Sequence, residues 1–421
     1  MHPGYGFLSE SEDFAKACSA AGMVFVGPKA EHIELFGDKM ASKVVMKQLG
    51  VPVLEGTQEP IATVEEGMAI ADAIGFPVII KAAFGGGGRG MRIVDDAASF
   101  AERFNAAKNE SEKYFARGEM FIEKYVQNPR HIEIQIMADS HGNVVHLGER
   151  DCSIQRRHQK VIEITPSPSI SDALRQKLTA IAVGAMQKMG YESVGTVEFL
   201  VDEQENAYFI EMNTRVQVEH PVTEVVTGID IIKEMIAIAD GAELSVDQEA
   251  VSFCGYAMEF RINSENPQFD FMPTTGVVQR YMPPAGIGVR LDSALYEGYV
   301  LPTCYDSMVA KLIVYDQNWE RLLKRAQRAL DEFVIEGVVT NIALHRAIVE
   351  EKTFIAGCFD TGYLDTKLGM LNLTRQSSAS GEREKLQEFA IMVQKLRKLQ
   401  EEEKKKEQSM EKKLKNFFTL Y

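Results

Sequence analysis

A mixed fold, part α+β and part α/β, is what this sequence predicts. Three observations carry that expectation. Between residues 53 and 126, runs rich in β-branched residues alternate with amphipathic helical patterns around a glycine-rich stretch. From 127 to 370, long strands (HIEIQIMAD, VVHLGERD, VGTVEFLVD, AYFIEMN) are interspersed with helices. No apolar run approaches the ~18 residues of a membrane span.

Along the chain, residues 1–25 read as the end of a lobe: a Gly-Tyr-Gly turn, a short helix (SESEDFAKACSAAG) and a strand (MVFVG). Residues 26–52 form a helical connection, with one helix over 29–50 ending at Gly50. Residues 53–126 make a small lobe and 127–370 a larger one. Residues 371–381 are a linker by composition. The tail, 382–421, is charged and helical. Its apolar residues keep a heptad at both ends, but Gln400, Glu403 and Glu407 occupy the middle of the seam, so a solvated helix is expected rather than a continuous coiled coil.

Composition narrows the function classes. A net charge of −15 argues against nucleic acid as a main partner, and an anionic substrate would need local cations. Five scattered cysteines without a CxxC pair point to a reduced compartment and against a zinc cluster. With no signal-peptide pattern after Met1, a cytoplasmic location is expected.

The stretch FPVIIKAAFGGGGRGMRIV (76–94) satisfies GxGxxG through Gly85, Gly87 and Gly90. A dinucleotide fingerprint must open a helix, whereas MRIV is a strand. No GKS or GKT is present for a P-loop. The reading that remains is a β-hairpin whose glycine loop exposes backbone N–H groups and folds over phosphates. Lys81, on the strand before it, reaches a phosphate oxygen. A merely floppy hairpin tip would carry a large cost in chain entropy.

FIEMNTRVQVEHPVTE (209–224) places Glu211, Asn213, Arg215, Gln217 and Glu219 at every second position, the spacing of one face of an extended chain. The preceding strand is separated from it by EQEN. If Asp202 pairs with Ala207, Glu198 stands directly opposite Glu211. Opposed carboxylates ~5 Å apart repel, and apolar neighbours keep water away. A divalent cation relieves that repulsion; near a phosphate site, Mg²⁺ or Mn²⁺ is expected, with Asn213 adding a neutral oxygen. A protonated or lysine-paired glutamate is the plain alternative. Arg215 is a planar fork suited to carboxylate, carbonate or phosphate. Glu219 cannot bind that anion but can take a proton from it.

HPGYGFLSE, KAAFGGGGRGM, FIEKYVQNPRHIEIQ, ERDCSIQRRHQKVIE, VEFL, FIEMNTRVQVEHPVTE and EFRIN occur in that order. From residue 1 to about 370 the chain resembles biotin carboxylase, an ATP-grasp ligase. The resemblance implies an ATP-grasp fold with a glycine-rich lid lobe and a C-terminal biotin carboxylase lobe. It implies that Lys39 and Lys81 contact ATP phosphates and that Gly86 and Gly87 sit in the lid. Glu123, Lys124, Tyr125 and Val126 would hold adenine mainly through backbone groups; His131, Gln155 and His158 would line the ribose and phosphate side. Glu198, Glu211 and Asn213 would bind two metal ions. Lys160, Arg215, Gln217, Val218 and Glu219 would surround bicarbonate, and Arg261 with Tyr5 would face the ureido ring of biotin. The family carries most of a Rossmann-like lobe before HPGYGFLSE, and residues 1–25 read as its remnant.

The implied reaction is ATP- and bicarbonate-dependent carboxylation of biotin through carboxyphosphate, the first half-reaction of a pyruvate or acyl-CoA carboxylase. AMQKMG (185–190) falls in a helical pattern and not in an attachment hairpin, so the biotin is expected on a separate carrier protein or subunit. A further expected partner is a carboxyltransferase subunit. A homodimer is expected for the full-length family form. Two alternatives stay open: another ATP-grasp ligase, such as a carbamoyl-phosphate-forming enzyme, and an inactive assembly subunit. The Gln-Val-Glu run and the EFRIN arginine favour biotin over the first; intact Lys39, Lys81, Glu198, Glu211, Arg215 and Glu219 speak against the second.

Overall fold

The computed structural model describes residues 1–57, 59–82, 91–115 and 118–373, and Met1–Leu371 forms one unit. Gly86 and Gly87, and the 382–421 tail, lie outside the described residues.

α1 (Glu12–Ala20) starts at Ser11, whose hydroxyl accepts from the Phe14 N–H at 3.2 Å. The strand expected at MVFVG is absent. The Met23 N–H donates to the Cys18 carbonyl and the Val26 N–H to the Met1 carbonyl, each at 2.9 Å, and no strand ladder forms. Met23 and Val24 are accordingly exposed.

The single helix expected over 29–50 is two helices. α2 (Ala30–Gly37) ends, and Asp38 caps α3 (Lys39–Gln48), its Oδ1 accepting from the Met40 and Ala41 N–H groups at 2.9 and 3.0 Å. An aspartate that satisfies two orphan amides starts a helix better than it continues one. The break puts Lys39 at the first helical position.

The small lobe follows the expected order. It comprises α4 (Val64–Ile74), β1 (Val78–Ala82), β2 (Arg92–Val94), α5 (Ala97–Phe115) and β3 (Met120–Lys124). The sheet is antiparallel in the order β2-β1-β3, with Val78 opposite Val94 and Ile80 opposite both Arg92 and Ile122. Val78, Ile80, Phe100, Phe104 and Ile122 form its core. The strand expected near residue 53 reduces to isolated bridges, Val53 to Phe209 and Gly56 to Glu123.

The larger sheet has eight antiparallel strands: β4 (Arg130–Ala138), β5 (Val144–Arg156), β6 (Gln159–Thr165), β7 (Ser193–Val201), β8 (Ala207–Asn213), β9 (Tyr256–Asn263), β10 (Val289–Ser293) and β11 (Met308–Asp316). Their order is β10-β11-β9-β6-β5-β4-β7-β8. Alternation assigns the faces. Ile132, Ile134 and Ile136 pack under α6 (Asp172–Met189) through Leu174, Leu178 and Ala182. Glu133 and Gln135 therefore point to the other face, where the charged side chains gather. AMQKMG lies in and just after α6, as expected.

The β7–β8 hairpin differs from expectation at its tip and agrees at its base. Asp202 Oδ1 accepts from the Gln204 and Asn206 N–H groups (2.9 and 2.8 Å), and Val201, not Asp202, pairs with Ala207. The aspartate side chain captures the turn amides and shifts the register by one. A bulge between Glu198 and Phe199 then restores it, so Glu198 faces Glu211 and Thr196 faces Asn213.

Candidate active site

Cross-strand pairing lines up Arg150 (β5), Glu133 (β4), Glu198 (β7) and Glu211 (β8) as successive partners across four strands. Three adjacent carboxylates on one face need cations. Arg150 is fully buried and donates through Nε to Glu133 at 2.5 Å; its other nitrogens reach Gln135, Thr196, Thr223 and Gln217. Lys160, on β6, contacts Glu133, Glu198 Oε1 (3.1 Å) and Glu219 Oε1 (2.7 Å). His131 Nε2 lies 2.6 Å from Glu198 Oε2, and Gln155 Nε2 holds the other ring nitrogen at 2.6 Å. Lys39 pairs with Glu211 at 3.0 Å.

The electrostatics follow from these contacts. Burial works to raise Glu198, but the Lys160 ammonium and His131 hold it well below the usual carboxylate range. Burial works to lower Lys160, and the carboxylates of Glu133, Glu198 and Glu219 keep it well above an ordinary lysine. Glu219 is buried and, against burial, is held far below its ordinary value by Lys160, Arg261 and Arg150.

Arg261, on β9, completes the group. Its Nε donates to Glu163 at 2.5 Å and its Nη2 to Glu219 at 2.8 Å, while His345 and the Asn341 amide hold its carbonyl. Arg215 follows β8. Its Nε donates to Glu10 Oε2 at 2.9 Å and its Nη2 to Asn213 Oδ1 at 3.1 Å; Glu10 Oε1 also accepts the Thr214 N–H. Gln217 donates to Glu198 at 2.7 Å, and the Val218 carbonyl accepts from Lys311 at 2.9 Å. His220 bonds the Gln217 carbonyl at 2.7 Å and so braces this loop.

These groups surround a cleft of about 1130 Å³. Its walls bring together Tyr5, His131, His158, Lys160, Glu198, Glu211, Asn213, Arg215, Gln217, Val218, Glu219 and Arg261. Lys39, Lys81, Gln155 and the segment Glu123–Val126 lie outside its wall. His158 sits in the two-residue turn joining β5 and β6, at φ 63°. Burial first, then the Lys81 ammonium, lowers its pKa, which places it toward the small lobe. The N–H groups of Lys124 and Tyr125 are bonded to the carbonyls of Glu55 (2.8 Å) and Pro77 (3.1 Å).

Sequence reasoning missed Glu133, Arg150, Glu163, Lys311 and Glu10. Glu133 and Gln135 alternating with isoleucines in HIEIQIMAD were a signal for a polar sheet face. Nothing local pairs Glu10 with an arginine 205 positions away.

One buried pair has a thermodynamic consequence. Glu163 and Glu259 are cross-strand neighbours, both fully buried, and neither Glu259 oxygen has a hydrogen-bond partner among the described residues. Burial pushes Glu163 up to about 7 and Glu259 well above a normal carboxyl. Folded values above unfolded ones mean that the native state binds more protons, so this contribution to stability is full at low pH and is lost as pH rises through 7. Glu259→Gln, permanently neutral, should therefore raise the melting temperature relative to wild type more at pH 8 than at pH 6. Equal offsets at the two pH values in thermal melts would contradict the raised Glu259 value.

Glu198 and Glu211 offer carboxylate oxygens suited to a hard divalent cation, with His131 and Lys160 orienting Glu198. Asn213, expected to add a neutral oxygen, instead donates its Nδ2 to Glu198 at 2.7 Å while its Oδ1 accepts from Arg215. Among the described residues, His131, Glu133 and Glu198 also place ligand atoms within 4.8 Å of one another.

Comparison with known proteins bears on this geometry. Residues 1–33 match the family model of the biotin carboxylase N-terminal domain, 38–247 that of the carbamoyl-phosphate synthase L chain ATP-binding domain, and 259–366 that of the biotin carboxylase C-terminal domain. Biotin carboxylase 1 of Bacillus subtilis is 49% identical over 367 residues, 87% of this chain and 82% of that protein. A crystal structure of the biotin carboxylase subunit of pyruvate carboxylase is 48% identical and superposes with a TM-score of 0.75, the match covering 88% of this chain and 82% of that one. The crystal structure of the biotin carboxylase domain dimer of Hydrogenobacter thermophilus 2-oxoglutarate carboxylase, in complex with MgADP, ADP and bicarbonate, is 48% identical. It superposes with a TM-score of 0.84 and the match covers 87% of this chain and 81% of that one. With the ATP-grasp sheet and the acidic row in place, the chain belongs to the biotin carboxylase family.

Proposed function

We propose that this chain uses ATP and bicarbonate to carboxylate the biotin of a separate carrier protein by way of carboxyphosphate, as the first half-reaction of a pyruvate or acyl-CoA carboxylase. The observation that carries this reading is the placement of Glu219 between Lys160 and Arg261 on the wall of the cleft. One acid is held by two cations of different shape, each suited to a different substrate.

In the proposed mechanism, Lys160 and Arg215 take bicarbonate, and Arg261 with Tyr5 takes the ureido group of biotin. Both partners of Glu219 are thus drawn onto substrates. A carboxylate held low by two cations is a weak base; as those cations turn to bicarbonate and biotin, Glu219 regains basicity next to the proton it removes. The bicarbonate oxygen then attacks the γ-phosphoryl of ATP, the bond to the β,γ-bridging oxygen breaks and ADP leaves, giving carboxyphosphate, with Lys39 and Lys81 spreading charge on the phosphates. Glu198, Glu211 and Asn213 would hold the divalent ion, which supplies charge neutralisation for phosphoryl transfer. Carboxyphosphate yields CO₂ and phosphate; phosphate takes the ureido N1 proton, and Arg261 stabilises the oxyanion that carboxylation consumes. The expected partners are a carrier, a second copy of the chain and a carboxyltransferase subunit. Among the described residues, no helix is long and apolar enough to cross a membrane.

Glu219→Gln tests the assignment. MgATP should bind as in wild type, because Glu219 contacts the bicarbonate and biotin groups and not Lys39 or Lys81. Carboxylation of free biotin should fall by at least ~100-fold, the scale of losing a general base. An equal loss of nucleotide affinity, measured by calorimetry, would move Glu219 into the ATP pocket.

A further inference from the structure

α3 carries a second lysine one turn beyond Lys39, on the same side of the helix. Lys43 contacts Glu123 Oε1, and Lys81 Nζ lies 2.7 Å from the other oxygen of the same carboxylate. Glu123 is nearly fully buried, and the Lys43 and Lys81 side chains are 15% and 22% exposed. Both ammoniums also lie over the Phe121 ring, 5.7 and 6.0 Å from its centroid. Helix α3 and strands β1 and β3 of the small lobe thus meet at one carboxylate.

Charge decides what this arrangement does. A Lys81–Glu123 pair alone would be neutral, and its ammonium would stay tied to the carboxylate when a phosphate arrived. With Lys43 on the other oxygen, two cations share one anion and the cluster carries net positive charge. Burial, then the ammoniums of Lys81 and Lys39, lowers Lys43 to about 6; burial and Lys39 lower Lys81 to about 8. Glu211 opposes both shifts, and a Glu123 oxygen in contact with each Nζ favours the charged form of both lysines. Like charges gathered in one partly buried cluster are a site prepared for a polyanion.

We propose that Lys43 is a positioning residue of the nucleotide site: it neutralises Glu123 and so releases the Lys81 ammonium to the polyphosphate. The proposal rests on the reading that this chain binds MgATP. It gives Glu123 a side-chain role, as the anchor that holds both lysines beside the small-lobe sheet.

The test is calorimetric binding of MgADP to the full chain in wild type, Lys43→Met, Lys43→Arg, Glu123→Gln and the double variant K43M/E123Q. Methionine keeps the apolar stem over Phe121. Lys43→Met should weaken binding on the order of tenfold, and Lys43→Arg should restore most of it. The double variant should bind more tightly than Lys43→Met, because a neutral amide in place of the Glu123 carboxylate no longer holds Lys81. A purely structural role predicts the reverse, since the double variant removes both members of the pair. Wild-type affinity in Lys43→Met, or a double variant no better than Lys43→Met, overturns the proposal. Should Lys43→Met not fold, Glu123→Gln decides alone: affinity at least equal to wild type supports the proposal, and weaker affinity overturns it. A wild-type chain that does not bind MgADP overturns the functional reading, and the proposal falls with it.

Discussion

Glu211→Gln is expected to lower bicarbonate-dependent ATP hydrolysis by at least ~100-fold, the scale on which metal-site substitutions act. Glu211 stands directly across from Glu198 and pairs with Lys39. The amide keeps the shape and removes the charge that both a divalent ion and the lysine use. The Lys39 pKa is raised first of all by Glu211, so its ammonium also loses its main electrostatic partner. Folding should survive, since Glu211 is 32% exposed and half-open ion pairs contribute at most about 1 kcal/mol. A folded variant with wild-type turnover would remove Glu211 from the site.

Lys160→Met should have the largest effect on the protein as a whole. Lys160 is the shared partner of Glu133, Glu198 and Glu219, whose side chains are 0%, 5% and 2% exposed. Removing one partner of a buried charge group costs about 3–5 kcal/mol, because the remaining charges lose their compensation. Turnover should vanish together with the stability. The sign with pH is fixed by the same contacts. Without the ammonium, the carboxylate values rise and protonation relieves the repulsion, so the deficit should be larger at pH 8 than at pH 6. Denaturant unfolding at the two pH values measures it. A melting temperature at pH 8 unchanged from wild type would show that the three carboxylates are balanced without Lys160.

Local pattern made part of this site readable. Glu198 opposite Glu211 follows from alternation and a short turn, and the structure keeps that pairing although a bulge, not the turn, sets it. β1 and β2, the described strands on either side of residues 83–90, pair antiparallel as expected, because MRIV has no helical pattern. What alternation does not contain is strand order. β4 lies between β5 and β7, and only that order brings Arg150 and Glu133 into line with Glu198 and Glu211. The same limit hid Glu163, which meets Arg261 because β6 neighbours β9. The break at Asp38 was within reach of local rules, since an aspartate after a glycine is a helix-start signal. Arg261, Lys160 and Tyr5 carry no local signature of chemistry, and only the resemblance singled them out.

We propose that Glu219, Lys160, Arg215 and Arg261 act as one site that joins bicarbonate to biotin at the expense of ATP. The most direct measurement supplies the full chain with radiolabelled bicarbonate, MgATP and free biotin and counts acid-labile label on biotin against ADP formed. Label on biotin should require all three substrates and disappear in Glu219→Gln and Arg261→Met. ATP hydrolysis by a folded protein that neither depends on bicarbonate nor yields labelled biotin would contradict it.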